Sequence, residues 1–446
     1  MFYNEAIEKI SLKSLRKIQD ERLCNIVNLL YSKVPFYRNK FQESGISPFD
    51  IKGTGDIYKI PFTKKSDLRD NYPFGLFTMP AEKISRIHVS SGTTGKPTVV
   101  GYSENDISVF SEVVARSLYA AGARPGMMLQ NSYGYGLFTG GLGLHYGAEK
   151  LGMTVVPVSG GMTERQLLLL QDFKPEVIAC TPSYAQTLAE EIRKRNISTK
   201  ELKLKYAILG AEPWTEAIRT EVEKGLNVTA TNLYGLSEII GPGVSQEDFE
   251  EKGTGSYVWE DHFFPEVVDK DTGEPLPYGE KGVLVFTTLT KEAMPLLRYW
   301  TNDITYIYYD KSAKRTHIKM GPILGRADDM LIIRGLNLFH TQIEELIQDI
   351  EELNANYQLV VTRESKMDKV EVLVELNEKY YSDIGFPEIT SQEPEVNEKL
   401  QTLQDHFTNK IKGKIGLTMK VTLSAPGDIP RSEGGKLNRI KDLRGS

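Results

Sequence analysis

With 446 residues, 40% of them apolar, the chain is too long for one ordinary hydrophobic core, which predicts two or more domains. Its 54 basic and 60 acidic residues give a formal net charge of −6, which argues against nucleic acid or an anionic membrane as a partner. No apolar run reaches the roughly 20 residues of a membrane span, no secretory signal is recognisable, and Cys24 and Cys180 are expected to be reduced, so we expect a cytoplasmic protein.

The first part of the chain is predicted to alternate helices and strands. Apolar residues at spacings of three and four predict a helix over 5–33, whereas the Pro-, Gly- and aromatic-rich residues 34–80 are expected to be irregular. Farther along, the predicted strands are 154–158, 176–180 and 205–209, and the predicted helices are 163–172 and 184–195. This alternation predicts an α/β domain with a largely parallel sheet.

The pattern changes twice in the second half of the chain. From about residue 253 it predicts short strands and turns, such as a strand at 283–288 and a turn at 270–273. A second pattern begins near 330, with predicted helices at 341–351 and 393–412 and predicted strands at 357–362, 370–375 and 419–423. We therefore predict an α/β protein with a large N-terminal domain of mixed sheets over 1–325 and a small, mobile C-terminal α+β domain over 326–446.

Residues 90–98 form a stretch rich in hydroxyls and glycines with a single lysine. They are Ser90, Ser91, Gly92, Thr93, Thr94, Gly95, Lys96, Pro97 and Thr98. Glycines let backbone N–H groups face a ligand, and hydroxyls and an ammonium donate to phosphate oxygens, so this stretch predicts a phosphate-binding loop. A nucleotide-hydrolase loop is excluded, because that motif needs four residues between its glycines and a Ser or Thr after the lysine. The sequence at 99–102 also predicts a strand where that motif needs a helix.

This loop resembles the phosphate loop of the adenylate-forming superfamily of acyl-CoA synthetases, and the flanking sequence narrows the resemblance to the phenylacetate–CoA ligase family. The similar segments are 61–69, 71–76, 133–141 and 241–243, and the similarity extends from about residue 10 to the C-terminus. The resemblance implies ATP, Mg²⁺ and coenzyme A as cofactors. It implies that a substrate carboxylate attacks the α-phosphate of ATP and that CoA thiolate then attacks the acyl-adenylate after the C-terminal domain rotates.

The resemblance also assigns nucleotide-binding roles to further residues of the N-terminal domain. In residues 234–238, Tyr234 offers a flat face to adenine next to Gly235, Ser237 a donor to the α-phosphate, and Glu238 an oxygen ligand to Mg²⁺. Asp303 would accept hydrogen bonds from the ribose hydroxyls. The segment that would lie along the adenine is Gly210, Ala211, Glu212 and Pro213.

Four residues of the C-terminal part of the chain receive roles in the same way. Arg326 would contact ribose or phosphate through its guanidinium, and Asp328 would be the hinge, within 326–329. Gly335 would face the channel for coenzyme A. Lys436, in the segment 430–439, matches the adenylation lysine, whose charge would stabilise the transition state.

The acid pocket is expected to be aromatic and apolar, which suits an aromatic or arylacetic acid. Its expected residues are Tyr135, Phe138, Gly210, Ile240 and Pro242. Two other functions share the same motifs: an adenylating enzyme that passes the acyl group to a carrier-protein thiol or another acceptor, and an AMP transferase. A homodimer is a family-level expectation. The six histidines do not fall at metal-ligand spacing with cysteine, so no structural zinc site is expected.

Overall fold

The computed structural model describes residues 1–90, 97–327, 331–333, 336–364, 367–384, 394–431 and 438–444. These residues form two compact units. The first contains Met1–Ala211 and Val222–Ile323, and the second contains Glu212–Glu221 and the described residues from Leu324 onward. The domain boundary that the sequence predicts after residue 325 stays a prediction. No helix among the described residues is both long and apolar enough to cross a bilayer.

The helices up to residue 226 include two regions that the sequence analysis assigned differently. They are α1 (Glu5–Glu8), α2 (Leu12–Lys33), α3 (Pro35–Glu43), α4 (Lys65–Asp70), α5 (Glu104–Ala120), α6 (Thr139–Leu151), α7 (Thr163–Phe173), α8 (Pro182–Lys194) and α9 (Glu216–Leu226). The single helix predicted over 5–33 is wrong at residues 9–11, because the Ser11 hydroxyl accepts from the Ser14 N–H and caps a new helix start. The irregular structure predicted for 34–80 is wrong for α3 and α4. Pro35 ends α2 and begins α3, since a proline disfavours helical geometry in the residue before it.

The strands of the first unit build two main sheets and a two-stranded ribbon. They are β1 (Arg86–Ser90), β2 (Thr98–Tyr102), β3 (Met128–Asn131), β4 (Thr154–Val156), β5 (Val177–Cys180), β6 (Tyr206–Gly210), β7 (Thr229–Leu236), β8 (Gly241–Glu247), β9 (Ser256–Val258), β10 (Phe263–Val268), β11 (Gly282–Thr288), β12 (Tyr299–Thr305), β13 (Ile307–Tyr308) and β14 (Lys319–Met320). The ribbon is antiparallel β1–β2. The strand predicted after the phosphate loop is confirmed as β2.

The largest sheet of the described residues has nine strands in the order β13-β14-β9-β8-β7-β6-β5-β3-β4. Strands β4, β3, β5, β6 and β7 run parallel, and β8 turns back to start an antiparallel half. Every residue of β5 is buried, as expected for a parallel strand covered on both faces. Helices alternate with the parallel strands along the chain, so the predicted α/β class is confirmed. The sheet is mixed, because about half of its strands are parallel, as predicted, and the others are antiparallel.

A second sheet of the first unit contains antiparallel β10, β11 and β12. All of β11 is buried, whereas β12 alternates between buried and half-buried residues, so that one of its faces is partly open. Asp303 lies on β12. One continuous hydrophobic core runs through this unit from α2 to β14.

The second unit has its own hydrophobic core. Its elements are β15 (Gly325–Arg326), β16 (Leu331–Ile333), β17 (Leu336–Leu338), α10 (His340–Gln348), β18 (Leu353–Glu364), β19 (Met367–Leu376), α11 (Glu378–Asp383), α12 (Pro394–Ile415), β20 (Lys420–Ser424) and β21 (Ile440–Asp442). Antiparallel β18 and β19 form the centre of a sheet in the order β20-β19-β18-β21. The predicted helices and strands of this region are confirmed to within a few residues.

Candidate active site

The parallel strands of the largest sheet end close together at one edge. β3 ends at Asn131, β5 at Cys180 and β6 at Gly210. Tyr133, which follows β3, donates its hydroxyl to the Cys180 carbonyl at 2.6 Å and lies 3.2 Å from the Gly210 carbonyl. Ligands of open α/β sheets bind outside the carboxyl ends of the strands, so this edge is where a ligand is expected.

Two glycines at this edge are fixed by backbone that lies very close to them. A Cβ on Gly210 would lie 2.1 Å from the Leu233 carbonyl, and a Cβ on Gly235 would lie 1.9 Å from the Gly241 carbonyl. Neither distance can accommodate a side chain, so the sequence needs glycine at both positions. Ala211 has a φ of 71°, an unfavourable conformation for a non-glycine residue. Such backbone geometry is concentrated at functional sites.

Tyr234 and Asp303 come from different sheets and meet through a hydrogen bond. The Tyr234 hydroxyl at the end of β7 donates to Oδ2 of Asp303 on β12 at 2.6 Å. The Tyr234 ring packs against the Phe286 ring with a centroid distance of 6.2 Å. The backbone N–H of Asp303 donates to the Thr301 hydroxyl at 3.0 Å. The predicted adenine residue and the predicted ribose residue are therefore adjacent in the fold.

The turn at 237–240 between β7 and β8 holds Ser237 and Glu238. The Ser237 hydroxyl is hydrogen-bonded to the Thr139 hydroxyl at 3.0 Å, at the first residue of α6. The Tyr102 hydroxyl lies 3.0 Å from the Ile240 carbonyl and 3.3 Å from the Ser237 carbonyl. Glu238 is only 7% exposed. The Ser237 hydroxyl and the Glu238 carboxylate are thus neighbours on one turn. Hydrogen bonds from the Tyr102 hydroxyl to the Ser237 and Ile240 carbonyls fix the backbone of this turn.

A buried lysine lies directly behind this turn. The Lys291 ammonium donates to the Glu238 carbonyl at 3.1 Å and lies 4.9 Å from the centroid of the Tyr102 ring. Burial lowers the pKa of Lys291 to about 8, and the nearby Asp106 and Glu238 carboxylates oppose that shift.

The phosphate loop itself, residues 91–96, lies outside the described residues, but both of its flanks are described. Ser90 ends β1 and is paired with Thr98 at the start of β2. The hydroxyl oxygens of Ser90 and Thr98 are buried and have no hydrogen-bond partner within the described ranges. Buried polar atoms normally have a partner, so these two hydroxyls at the base of the loop are compatible with a ligand there.

The donor set at the 237–240 turn also fits Mg²⁺. Magnesium is usually held by one or two carboxylates together with waters and substrate phosphates. Among the described residues, no cluster of three or more histidine, cysteine, aspartate or glutamate side chains is suited to a metal. A single buried carboxylate such as Glu238 matches magnesium better than a metal that needs several protein ligands.

The residues expected to form the acid pocket occupy different surroundings. Tyr135 follows β3, accepts from Asn131 Nδ2 at 2.8 Å and has its pKa raised to about 12, chiefly by burial. Phe138 precedes α6 and is 54% exposed, and Ile240 in the 237–240 turn is buried. Pro242 on β8 packs toward Gly143 of α6, where a Cβ would lie 3.0 Å from its ring. The pocket stays a prediction for these residues.

Several predicted site residues lie in the second unit or outside the described residues. Arg326 lies on β15, and Glu212 and Pro213 belong to the same unit. Asp328, Gly335 and Lys436 lie outside the described residues. The roles predicted for these residues stay predictions.

Four residues of this region have no signal in the sequence that marks them as site residues: Tyr102, Tyr133, Thr139 and Lys291. Tyr133 and Thr139 lie within the segment 133–141 that resembles the family, but the resemblance assigns no role to either residue. Lys291 follows an apolar strand as a lone lysine, and most lysines are exposed to solvent. Pairing with the 237–240 turn is a tertiary feature that no local pattern indicates.

Two family profiles match the chain. The AMP-binding enzyme profile covers residues 17–290, and the AMP-binding enzyme C-terminal domain profile covers 335–444. A phenylacetate–coenzyme A ligase of Thermus thermophilus is 62% identical over 445 residues, with 100% of both chains covered. The enzyme of the same name from Aromatoleum evansii is 50% identical, covering 99% of this chain and 97% of the relative.

Solved structures show the same architecture. A 2-hydroxyisobutyryl-CoA ligase in the postadenylation state, in complex with R3-HIB-AMP, has a TM-score of 0.90 at 26% identity, and the match covers 99% of this chain and 92% of that one. The same enzyme in its thioesterification state with 2-HIB-AMP and CoA has a TM-score of 0.71 at 27% identity and covers 100% and 93%. The chain therefore belongs to the adenylate-forming AMP-binding enzymes and, within them, to the phenylacetate–coenzyme A ligase family of AMP-forming acid–thiol ligases.

Proposed function

We propose that this ligase activates phenylacetate or a close arylacetic or aromatic acid. The reaction consumes ATP and coenzyme A and gives the acyl-CoA, AMP and pyrophosphate. The choice of acid is supported by the 62% identity, over the full length of both chains, to a protein named phenylacetate–coenzyme A ligase.

The Tyr234–Asp303 hydrogen bond is the single structural observation on which the proposed nucleotide site depends. It brings an aromatic face and a carboxylate acceptor together at the carboxyl edge of the sheet. Tyr234 would cover the adenine, with Gly210, Ala211 and Gly235 giving it close access along the backbone. Asp303 would accept hydrogen bonds from the ribose hydroxyls.

The phosphates are assigned to the adjacent 237–240 turn and the β1–β2 loop. Ser237 would donate to the α-phosphate, and the loop that begins at Ser90 would surround the remaining phosphates through its hydroxyls, backbone N–H groups and Lys96. Glu238 would bind Mg²⁺, which neutralises charge on the phosphates when bound. Arg326 and Lys436 of the C-terminal part would add positive charge for adenylation.

A panel of acids tests the proposed substrate. The protein is incubated with ATP, Mg²⁺ and labelled pyrophosphate together with phenylacetate, 4-hydroxyphenylacetate, benzoate, anthranilate or acetate. We expect exchange of pyrophosphate into ATP to be fastest with the arylacetates, and we expect their CoA thioesters by mass spectrometry. Faster exchange with acetate than with any aromatic acid would contradict the proposal.

Two other proposed partners have separate tests. A carrier-protein thiol would compete with coenzyme A as acceptor, and a holo carrier protein that is acylated faster than coenzyme A would favour that alternative. A homodimer would be seen by sedimentation as twice the 50.2 kDa mass of the chain.

We also place the reaction in the cytoplasm, where ATP and coenzyme A are both available.

A further inference from the structure

Lys291 is buried in the first unit although it carries a long, ionisable side chain. It is 1% exposed. Its ammonium donates to the Glu238 carbonyl at 3.1 Å and contacts the Tyr102 ring face. Removing an ammonium from water is costly unless the charge is paired and hydrogen-bonded, so a lysine at this position needs a reason that an apolar residue would not satisfy.

The backbone that presents Lys291 is fixed by a buried carboxylate. Asp106, in the first turn of α5, accepts from the backbone N–H groups of Glu292 at 2.6 Å and Ala293 at 2.9 Å. The same carboxylate accepts from the Ser103 N–H at 2.9 Å. The residues that follow Lys291 are therefore anchored to the start of a helix, which limits where its ammonium can lie.

The Lys291 ammonium and the Tyr102 hydroxyl donate hydrogen bonds to different backbone carbonyls of the 237–240 turn. Lys291 donates to the carbonyl of Glu238, while the Tyr102 hydroxyl donates to the carbonyl of Ile240. A third residue, Thr139, is hydrogen-bonded to the Ser237 hydroxyl. Three side chains thus hold the turn that bears the proposed phosphate and metal side chains, and among these three Lys291 is the charged one.

We propose that Lys291 is a positioning residue for adenylation, which fixes the backbone of Glu238 and so holds the Glu238 carboxylate in place for the metal-bound triphosphate. This inference rests on the proposed metal role of Glu238. Residues that orient metal ligands typically change metal affinity or activity by 10- to 100-fold when they are replaced. The effect should therefore appear as an increased requirement for Mg²⁺.

The test uses Lys291→Met, which keeps the length and apolar stem of the side chain but removes the charge and the donor. Lys319→Met is the matched control, because Lys319 is also 1% exposed and also lies 4.9 Å from a tyrosine ring, that of Tyr257. Lys319 is paired with Glu251 and Asp310 instead of the 237–240 turn. Lys291→Arg restores the charge and donors, and Lys291→Gln takes the place of the methionine variant if that variant does not fold.

Two readouts are taken against Mg²⁺ concentration: the increase in Tm that ATP produces without any acid present, and the rate of pyrophosphate exchange with phenylacetate. We expect Lys291→Met to need at least tenfold more Mg²⁺ for the half-maximal effect in both. Lys319→Met should lower the Tm of the free protein yet keep the wild-type Mg²⁺ requirement, and Lys291→Arg should recover most of the loss. A wild-type requirement in Lys291→Met, or an equal shift in Lys319→Met, would overturn the inference.

Glu238→Gln separates a failure of this inference from a failure of the proposed function. If Glu238→Gln raises the Mg²⁺ requirement and Lys291→Met does not, the metal role of Glu238 is supported and the positioning role of Lys291 is overturned. If Glu238→Gln leaves the Mg²⁺ requirement unchanged, the metal role of Glu238 is overturned, and the positioning role of Lys291 is overturned with it.

Discussion

The Tyr234 hydroxyl connects β7 to β12 at the proposed nucleotide site through a side-chain hydrogen bond. It donates to the Asp303 carboxylate at 2.6 Å, and a hydrogen bond to a charged group contributes about 1.5–3 kcal/mol. We expect Tyr234→Phe to raise the KM for ATP about tenfold, because Asp303 loses the donor that orients it, and to change the KM for the acid little. Steady-state kinetics with each substrate varied in turn measure both values.

Tyr257→Phe is a suitable control for that variant. Its hydroxyl also donates to a carboxylate, that of Glu251, but Tyr257 lies on β9 in the antiparallel half of the sheet. We expect a loss of stability without a change in the KM for ATP. An unchanged KM for ATP in Tyr234→Phe would remove the support for Asp303 as the ribose residue.

Glu260 and His317 form a buried pair with opposite pKa shifts. Burial raises the pKa of Glu260 from 4.5 to about 7, and burial lowers the pKa of His317 from 6.5 to about 4. The backbone N–H of Glu260 donates to Nδ1 of His317 at 3.1 Å, so that nitrogen accepts and is unprotonated. Burial therefore favours the neutral form of both groups between about pH 4 and pH 7.

These shifts have opposite effects on stability. The stability from Glu260 is fully present below pH 4.5 and is lost as the pH rises through 7, whereas that from His317 is present above pH 6.5 and is lost as the pH falls through 4. Because Glu260→Gln removes only the first effect, we expect its free energy of unfolding, relative to that of the wild type, to increase between pH 5 and pH 7.5. The increase should be on the order of 2 kcal/mol by urea denaturation. A decrease over that range would show that the Glu260 pKa is not raised.

At the scale of elements, the start of α5 connects a helix to the site. Asp106 accepts from the Ser103, Glu292 and Ala293 N–H groups and is fully buried. We expect Asp106→Ala to destabilise the protein by about 3 kcal/mol, because it removes a helix cap and leaves buried donors without an acceptor. Ser11→Ala, which removes the exposed cap of α2, should cost about 1 kcal/mol. Equal losses in urea denaturation would contradict the special role of Asp106.

The elements that the sequence predicts well are those with local signals. Strands β5 and β6 are short apolar runs, and α7 and α8 have a clear apolar periodicity with polar flanks. Helix α6 begins Thr-Gly-Gly-Leu-Gly and has no such periodicity, because glycines occupy positions that large apolar residues would otherwise fill. These glycines let α6 pack closely against α5. The short helices α3 and α4 are stabilised by tertiary contacts, which is why the aromatic- and proline-rich region around them is expected to be irregular from sequence alone.

The residues of the proposed site also divide into those with a local sequence signal and those that depend on tertiary contacts. The sequence singles out Tyr234, Ser237, Glu238 and Asp303 because each lies in a short motif with its own chemistry, and their roles stay predictions. Lys291 could not, since its partner, the Glu238 carbonyl, is 53 residues away and is a backbone atom. Motifs indicate the groups that would touch the ligand, whereas the groups that position them depend on tertiary packing.

At the scale of the whole molecule, the two half-reactions should depend on different parts of the chain. The resemblance assigns Lys436 to adenylation only, so Lys436→Ala should slow adenylate formation about 100- to 1000-fold, the usual effect of losing one such electrostatic donor. Formation of the thioester from supplied acyl-adenylate and coenzyme A should be nearly unchanged. Single-turnover assays of each step make the comparison, and equal losses in both steps would contradict a role confined to the first.

The hinge assigned to Asp328 leads to a related expectation. A proline there fixes φ and would restrict rotation of the C-terminal domain. We expect Asp328→Pro to spare one half-reaction and impair the other. Full turnover in both steps would argue against rotation about this residue.

In the first half-reaction the carboxylate of the acid attacks the α-phosphate of ATP before coenzyme A reacts. Phenylacetate labelled with ¹⁸O in both carboxyl oxygens tests it in one turnover with ATP and coenzyme A. Attack through the carboxylate transfers one labelled oxygen to AMP and leaves the other in the thioester, so mass spectrometry should detect AMP with one ¹⁸O and phenylacetyl-CoA with one ¹⁸O. Unlabelled AMP, or ADP in place of AMP and pyrophosphate, would contradict attack of the carboxylate on the α-phosphate.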